Sequence, residues 1–152
     1  MNRRRLTIAA FVAALACAGA GTAHGAAVAA KSGTVDLRAT KLGKILVDAK
    51  GMTLYLFEKD RRNKSACAGA CAKVWSPLLV KGKPTAGGGV KASLLGTTRR
   101  KSGVQVTYNG HPLYHFSGDK KPGDARGEGS KAFGAEWYVL SAKGAKVEKG
   151  GS

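Results

Sequence analysis

The chain is 152 residues long, with 26 Lys and Arg against nine Asp and Glu, and carries a formal net charge of +17. That length suits one compact domain, and no apolar run after the first thirty residues is long enough for a transmembrane helix. The excess of positive charge points away from cationic partners and toward anionic ones: envelope polymers, lipopolysaccharide, phospholipid surfaces or free nucleic acid, bound weakly and without sequence specificity.

Residues 1–30 read as a signal peptide. Arg3, Arg4 and Arg5 form the positive end, Leu6 to Ala16 the short apolar run, and Ala23-His24-Gly25 or Val28-Ala29-Ala30 a small-residue cleavage site. Cys17 raises a second processing route, in which it accepts a lipid. A lipoprotein signal has Leu three residues before the cysteine and a small residue two before, and Ala14-Leu15 has them exchanged. Cleavage without lipidation is therefore the expectation, and anchoring through Cys17 the alternative. Either route exports the protein to the periplasm or the exterior. Removing 1–30 takes away three positive charges and no negative ones, from +17 to +14.

The exported domain is predicted over 31–141. Lys31–Thr40 opens as a strand, with Val35, Leu37 and Ala39 alternating against charged neighbours. "KILVDAKGMTLYLF" follows as a hairpin around Asp48-Ala49-Lys50-Gly51. "GVQVTYNGHPLYHF" is the same hairpin again, with Asn109-Gly110 suited to a turn that needs positive φ at both central positions. Five residues recur at a fixed offset of 59: Gly51/Gly110, Leu54/Leu113, Tyr55/Tyr114, Phe57/Phe116 and Asp60/Asp119. Each copy runs through a polar loop to a Trp-led strand, at Trp75 and Trp137. The repeats span 42–80 and 101–141, joined by the linker "KGKPTAGGG" and a short helical turn in "VKASLLG" that Gly96 stops. Residues 142–152, rich in Lys and Gly, read as a flexible tail.

A hairpin with one extra strand cannot bury a face alone. Two copies paired about a pseudo-twofold axis can. The fold expected is mainly β: an antiparallel domain of two pseudo-symmetric hairpin-plus-strand repeats.

The chain also resembles a known bacterial family of secreted repeats, predicted lipoproteins with a Tyr-x-(Phe/Trp/Tyr)-x-x-Asp motif. Tyr55-Leu56-Phe57-Glu58-Lys59-Asp60 and Tyr114-His115-Phe116-Ser117-Gly118-Asp119 both fit it, as do "GMTLY", "CAGACAKVW", "PGD" and "EWYVL". The family often has Trp-Pro-Pro after the cysteine pair, where this chain has Trp75-Ser76-Pro77. The resemblance covers about Leu42 to Leu140. It implies a secreted or envelope location and no particular reaction.

Within the motif, Tyr55 and Phe57 share a strand face, as do Tyr114 and Phe116. They read as core aromatics whose hydroxyls bond near a sheet edge, or else as a platform for a sugar or base. Asp60 and Asp119 read as turn-setting acceptors of backbone N–H groups. On the opposite face Met52, Leu54 and Leu56 become His111, Leu113 and His115. That face is either exposed, or His111 and His115 are ligands for copper, zinc or haem. Four residues along a regular strand span about 13 Å, too far for both to reach one ion. Cys67 and Cys71, exported and separated by three small residues, are expected to form a disulfide. Ala72, standing where covalent haem attachment needs His, argues against that motif.

No Gly-x-Ser-x-Gly elbow or phosphate loop occurs, and no nucleophile is signalled near either histidine. The residues favour a non-enzymatic binding or structural module of the cell envelope, without a cofactor. A metal- or haem-associated periplasmic protein is the alternative, and a cryptic hydrolase the second. Ligand and oligomeric state are not written in the sequence.

Overall fold

The computed structural model describes residues 32–148. The expected signal peptide at 1–30, with Cys17, lies outside the described residues, as do positions 149–152 of the tail. The described chain is mainly β, and its repeats build equivalent parts. In repeat one, β1 (Thr34–Thr40) and β2 (Gly43–Asp48) form an antiparallel hairpin that leads to the short motif strand β3 (Tyr55–Phe57). In repeat two, β6 (Leu95–Arg100) and β7 (Gly103–Tyr108) form the same hairpin. It leads through β8 (His111–Pro112) to the motif strand β9 (Tyr114–Phe116).

The Trp-led strands are β4 (Trp75–Pro77) and β10 (Trp137–Val139). A one-turn helix, α1 (Ala70–Val74), precedes β4, and β5 (Thr85–Ala86) adds a short parallel strand to β1.

Both turns around the repeated glycine form as the residues predict. Asn109 and Gly110 take φ of 50° and 82°, which the Asn-Gly pair tolerates best. In repeat one Asp48 sets the turn instead: its Oδ1 accepts the Lys50 and Met52 N–H groups at 2.8 and 2.9 Å. Two details depart from expectation. The segment read as linker contains the short strand β5, and after the expected helical turn, a 3₁₀ turn at Ala92–Leu94, the chain extends through Gly96 as β6. The strand pairing of Thr97–Arg100 with β7 outweighs the weak helical signal. Residues 142–148 are pinned as well. Val147 N–H donates to Val139 O at 2.9 Å, and Lys146 bridges Glu58 and Glu148.

The central sheet has the order β10-β3-β9-β4. Tyr55 pairs with Tyr114 at its centre, so the pseudo-twofold axis passes between the two tyrosines. Each Trp-led strand crosses to the other repeat: β4 pairs with β9, and β10 with β3. The sheet is covered on both sides. Tyr55, Phe57, Tyr114, Trp75 and Trp137 bury into one core, and Leu54, Leu56 and Leu113 into another with Val35, Leu46 and Val106. The leucine face is therefore buried rather than solvent-exposed, because the two outer hairpins pack over it.

Candidate functional site

The strand period of two sends the aromatic half of each motif into one core. There the rings form a palindromic stack, Phe57–Trp137–Trp75–Phe116. Neighbouring centroids lie 4.0, 3.9 and 4.4 Å apart. Tyr55 meets Trp75 edge-on, and Tyr114 meets Trp137 in the same way. The two tryptophans come from different repeats, so the stack requires the strand exchange. Tyr55, Phe57, Tyr114, Trp75 and Trp137 are all buried, and their faces are used against one another instead of being offered to a ligand.

The carboxylates at the motif ends complete the exchange. Tyr55 Oη donates to Asp119 Oδ2 at 2.7 Å, and Tyr114 Oη to Asp60 Oδ2 at 2.7 Å. Each tyrosine thus bonds the aspartate of the other repeat. The second oxygen of each aspartate closes its own loop: Asp119 Oδ1 accepts the Arg126 N–H at 2.9 Å, and Asp60 Oδ1 the Ala66 N–H at 2.6 Å. The tyrosines stand on the two central strands of the sheet, β3 and β9, rather than on an edge strand.

Burial dominates the acid–base properties of this cross. Desolvation pushes Asp60 up to about 6, against the opposing bonds from Ala66 and Tyr114 and the charge of Arg100. It raises Asp119 as well, against the bonds from Tyr55 and Arg126. Burial and then the neighbouring aspartates hold both tyrosines far above the ordinary phenol value.

This crossed motif, written twice, is matched by a family description. Residues 37–79 and 96–141 fit a secreted repeat of unknown function. The chain belongs to that family. No curated protein and no solved structure matches it. The two matched segments of the secreted repeat begin within β1 and β6, one strand upstream of the hairpin that the Tyr motif itself marks. Among the described residues, no helix is long and apolar enough to cross a membrane.

The remaining candidate residues of the secreted repeat separate into different surroundings. His115 Nε2 lies 3.0 Å from Asp48 Oδ2, tying the motif strand of repeat two to the turn of repeat one. The net effect on Asp48 is a lowered value, because His115 and the Met52 and Lys50 N–H groups outweigh its burial. By the 59-residue offset the corresponding pair would be Thr107 and Leu56, so this link exists on one side only. His111 lines a depression of about 440 Å³ with Leu56, Glu58, Asp60 and Lys146. Desolvation, and then Arg62, lower its value below that of an ordinary imidazole. Among the described residues no three His, Cys, Asp or Glu side chains cluster as a metal site. Cys67 and Cys71 form the expected disulfide; both are buried, and the bond closes the loop that enters α1.

Sequence reasoning did not find the groove each repeat makes with the other. The loop after motif one, from Lys64 to Ala72, faces the β6–β7 hairpin tip, Arg99–Ser102, across a cleft of about 430 Å³. The loop after motif two, Lys121–Ala125, faces the β1–β2 tip, Arg38–Leu42, across one of about 530 Å³. The sequence offers only the basic clusters Arg99-Arg100-Lys101 and Lys120-Lys121, both expected in loops; Arg99 and Arg100 instead end strand β6, paired with β7.

Proposed function

We propose that this secreted repeat is a non-enzymatic binding module of the cell envelope that engages anionic polymers or membrane surfaces through its cationic exterior. The observation that carries the reading is a division of labour. The buried titratable groups pushed well above their ordinary values, Tyr55, Tyr114 and Asp60, are bonded across the repeats within the fold, which suits a scaffold. The exposed cations Arg61, Arg62, Arg99, Lys101, Lys120 and Lys121 form no ion pair among the described residues, which suits a surface open to outside anions. Such attraction arises from counterion release and long-range fields, both weakened by salt.

The test is a salt titration of binding to phosphatidylglycerol vesicles, to zwitterionic vesicles and to DNA. The expected result is binding to both anionic partners at low salt, a steep fall with added NaCl, and none to the zwitterionic surface. Binding that holds at high salt, or that ignores surface charge, overturns the reading.

A further inference from the structure

The two clefts between the repeats are built from equivalent parts but carry different charges. Asp124 stands in the second, beside Lys121. Its Oδ2 accepts the Lys120 and Lys121 N–H groups at 2.9 and 3.2 Å and lies 3.7 Å from Arg126 Nε. Repeat two thus supplies its own anion to its own cationic loop. By the 59-residue offset Asp124 corresponds to Ser65 in the first cleft. That cleft is lined by Lys64, Arg99, Arg100 and Lys101, with no carboxylate.

The walls of the first cleft are fixed from beneath. Arg100 Nη2 donates to Cys67 O at 2.7 Å, and Nη1 to Gln105 Oε1 at 2.8 Å and Ser65 Oγ at 3.2 Å. Gln105, fully buried, is anchored in turn by donating to Leu113 O at 2.8 Å. Thr98 Oγ1 donates to Asn63 O at 2.6 Å, joining the loop to β6 at a second point. The Cys67–Cys71 disulfide shortens the loop that forms the facing wall. Lys64, Arg99 and Lys101 therefore project from two walls held in register, while Arg100 clamps them together.

Resting on the charge-driven reading above, we infer that this first cleft is a dedicated site for the phosphate groups of an envelope polyanion. Its volume falls in the range of small-ligand pockets. Three exposed cations, Lys64, Arg99 and Lys101, that form no ion pair among the described residues favour a ligand with several negative charges close together, as phosphates in series provide. Arg99 offers a planar fork matched to a phosphate, and Lys64 and Lys101 add point charges. The second cleft, neutralised in part by Asp124, is the weaker of the two.

The experiment compares the wild-type domain with two charge-matched triple variants. One is Lys64→Gln/Arg99→Gln/Lys101→Gln in the cleft. The other is Lys44→Gln/Lys91→Gln/Lys143→Gln, exposed cations elsewhere. Binding of tripolyphosphate is measured by calorimetry, and its location by amide shift changes. Phosphatidylglycerol vesicles at low salt serve as the second ligand. All six side chains are exposed, and thermal melts check that both variants fold.

The cleft variant is expected to bind tripolyphosphate at least about tenfold more weakly, as loss of one charge-assisted hydrogen bond alone would produce. The control should stay within about twofold, because none of its cations lines the cleft and charges away from a site are screened by salt. Shifts should concentrate at 64–69 and 99–102. Equal losses in both variants, or shifts spread over the surface, overturn the cleft and leave the general charge-driven reading intact. Vesicle binding without tripolyphosphate binding does the same, and places the ligand at the lipid surface. Failure to bind either ligand at low salt overturns both.

Discussion

Tyr114 and Asp60 show how a single side chain joins the repeats. Tyr114→Phe removes the donor to Asp60 Oδ2, and the neighbouring Ser65 hydroxyl loses one of its partners, at 2.8 Å. The ring still packs edge-on against Trp137, so the cost should be that of the polar group alone, about 1–3 kcal/mol, read from the urea midpoint. A change within error would mean that the crossed bond adds nothing. Asp60 also makes a pH prediction. Its folded value, about 6, lies above its ordinary 3.8, so the folded protein holds the proton more tightly than the unfolded chain. The stability this gives is complete below 3.8 and is lost as pH rises through about 6. Asp60→Asn cannot titrate there. The stability of Asp60→Asn minus that of wild type should therefore rise between those two values, whatever Asp119 and Asp48 do in both proteins. A flat difference would show that Asp60 is not shifted.

The elements make narrower predictions, because most are short. Gly110 holds the second hairpin turn at φ 82°, and a Cβ there would lie 2.8 Å from Arg62 Cγ. Gly110→Ala should cost about 1–2 kcal/mol from the left-handed backbone, plus whatever Arg62 needs to move, seen as a lower melting temperature with the fold unchanged. An unchanged melting temperature would argue that the turn relaxes freely. The loop into α1 depends on the Cys67–Cys71 bond. Thiol labelling of the exported protein under denaturing, non-reducing conditions should find neither of these cysteines free. The ring is small, so reduction should destabilise by only about 2 kcal/mol on the chain-entropy account. A five-residue helix has no independent stability, so its shape follows from this bond and from the burial of Cys71.

At the scale of the whole molecule the two repeats are interleaved rather than adjoined. The order β10-β3-β9-β4 gives each repeat's Trp strand to the other repeat's motif strand. Chains ending and beginning in the linker at Gly87–Gly89 should therefore be unfolded alone, with poorly dispersed amide spectra. Mixed, they should recover the dispersion of the intact protein. A single half that folds by itself would contradict the shared core.

The repeat, its hairpins, the Trp-led strands and the β class were all legible in the sequence. Period two, turn residues and the offset of 59 are local signals that survive without the fold. The same locality explains the misses. β6 was hidden because Thr97–Arg100 carries no apolar alternation and becomes a strand only through its pairing with β7. The leucine face of the motif reads as amphipathic because nothing in a strand says how many layers will cover it.

What only the tertiary structure decided is which repeat bonds which. Tyr55 and Asp60 lie five positions apart, and so do Tyr114 and Asp119, yet neither pair is bonded within itself. Identical motifs make the exchanged and the unexchanged pairings indistinguishable in sequence, and the choice is made by the geometry of two strands meeting antiparallel at Tyr55 and Tyr114. The clefts follow from the same exchange. Their walls come from loops and hairpin tips about thirty residues apart in the chain in the first cleft and about eighty in the second, and their charge is a property of that meeting rather than of either segment.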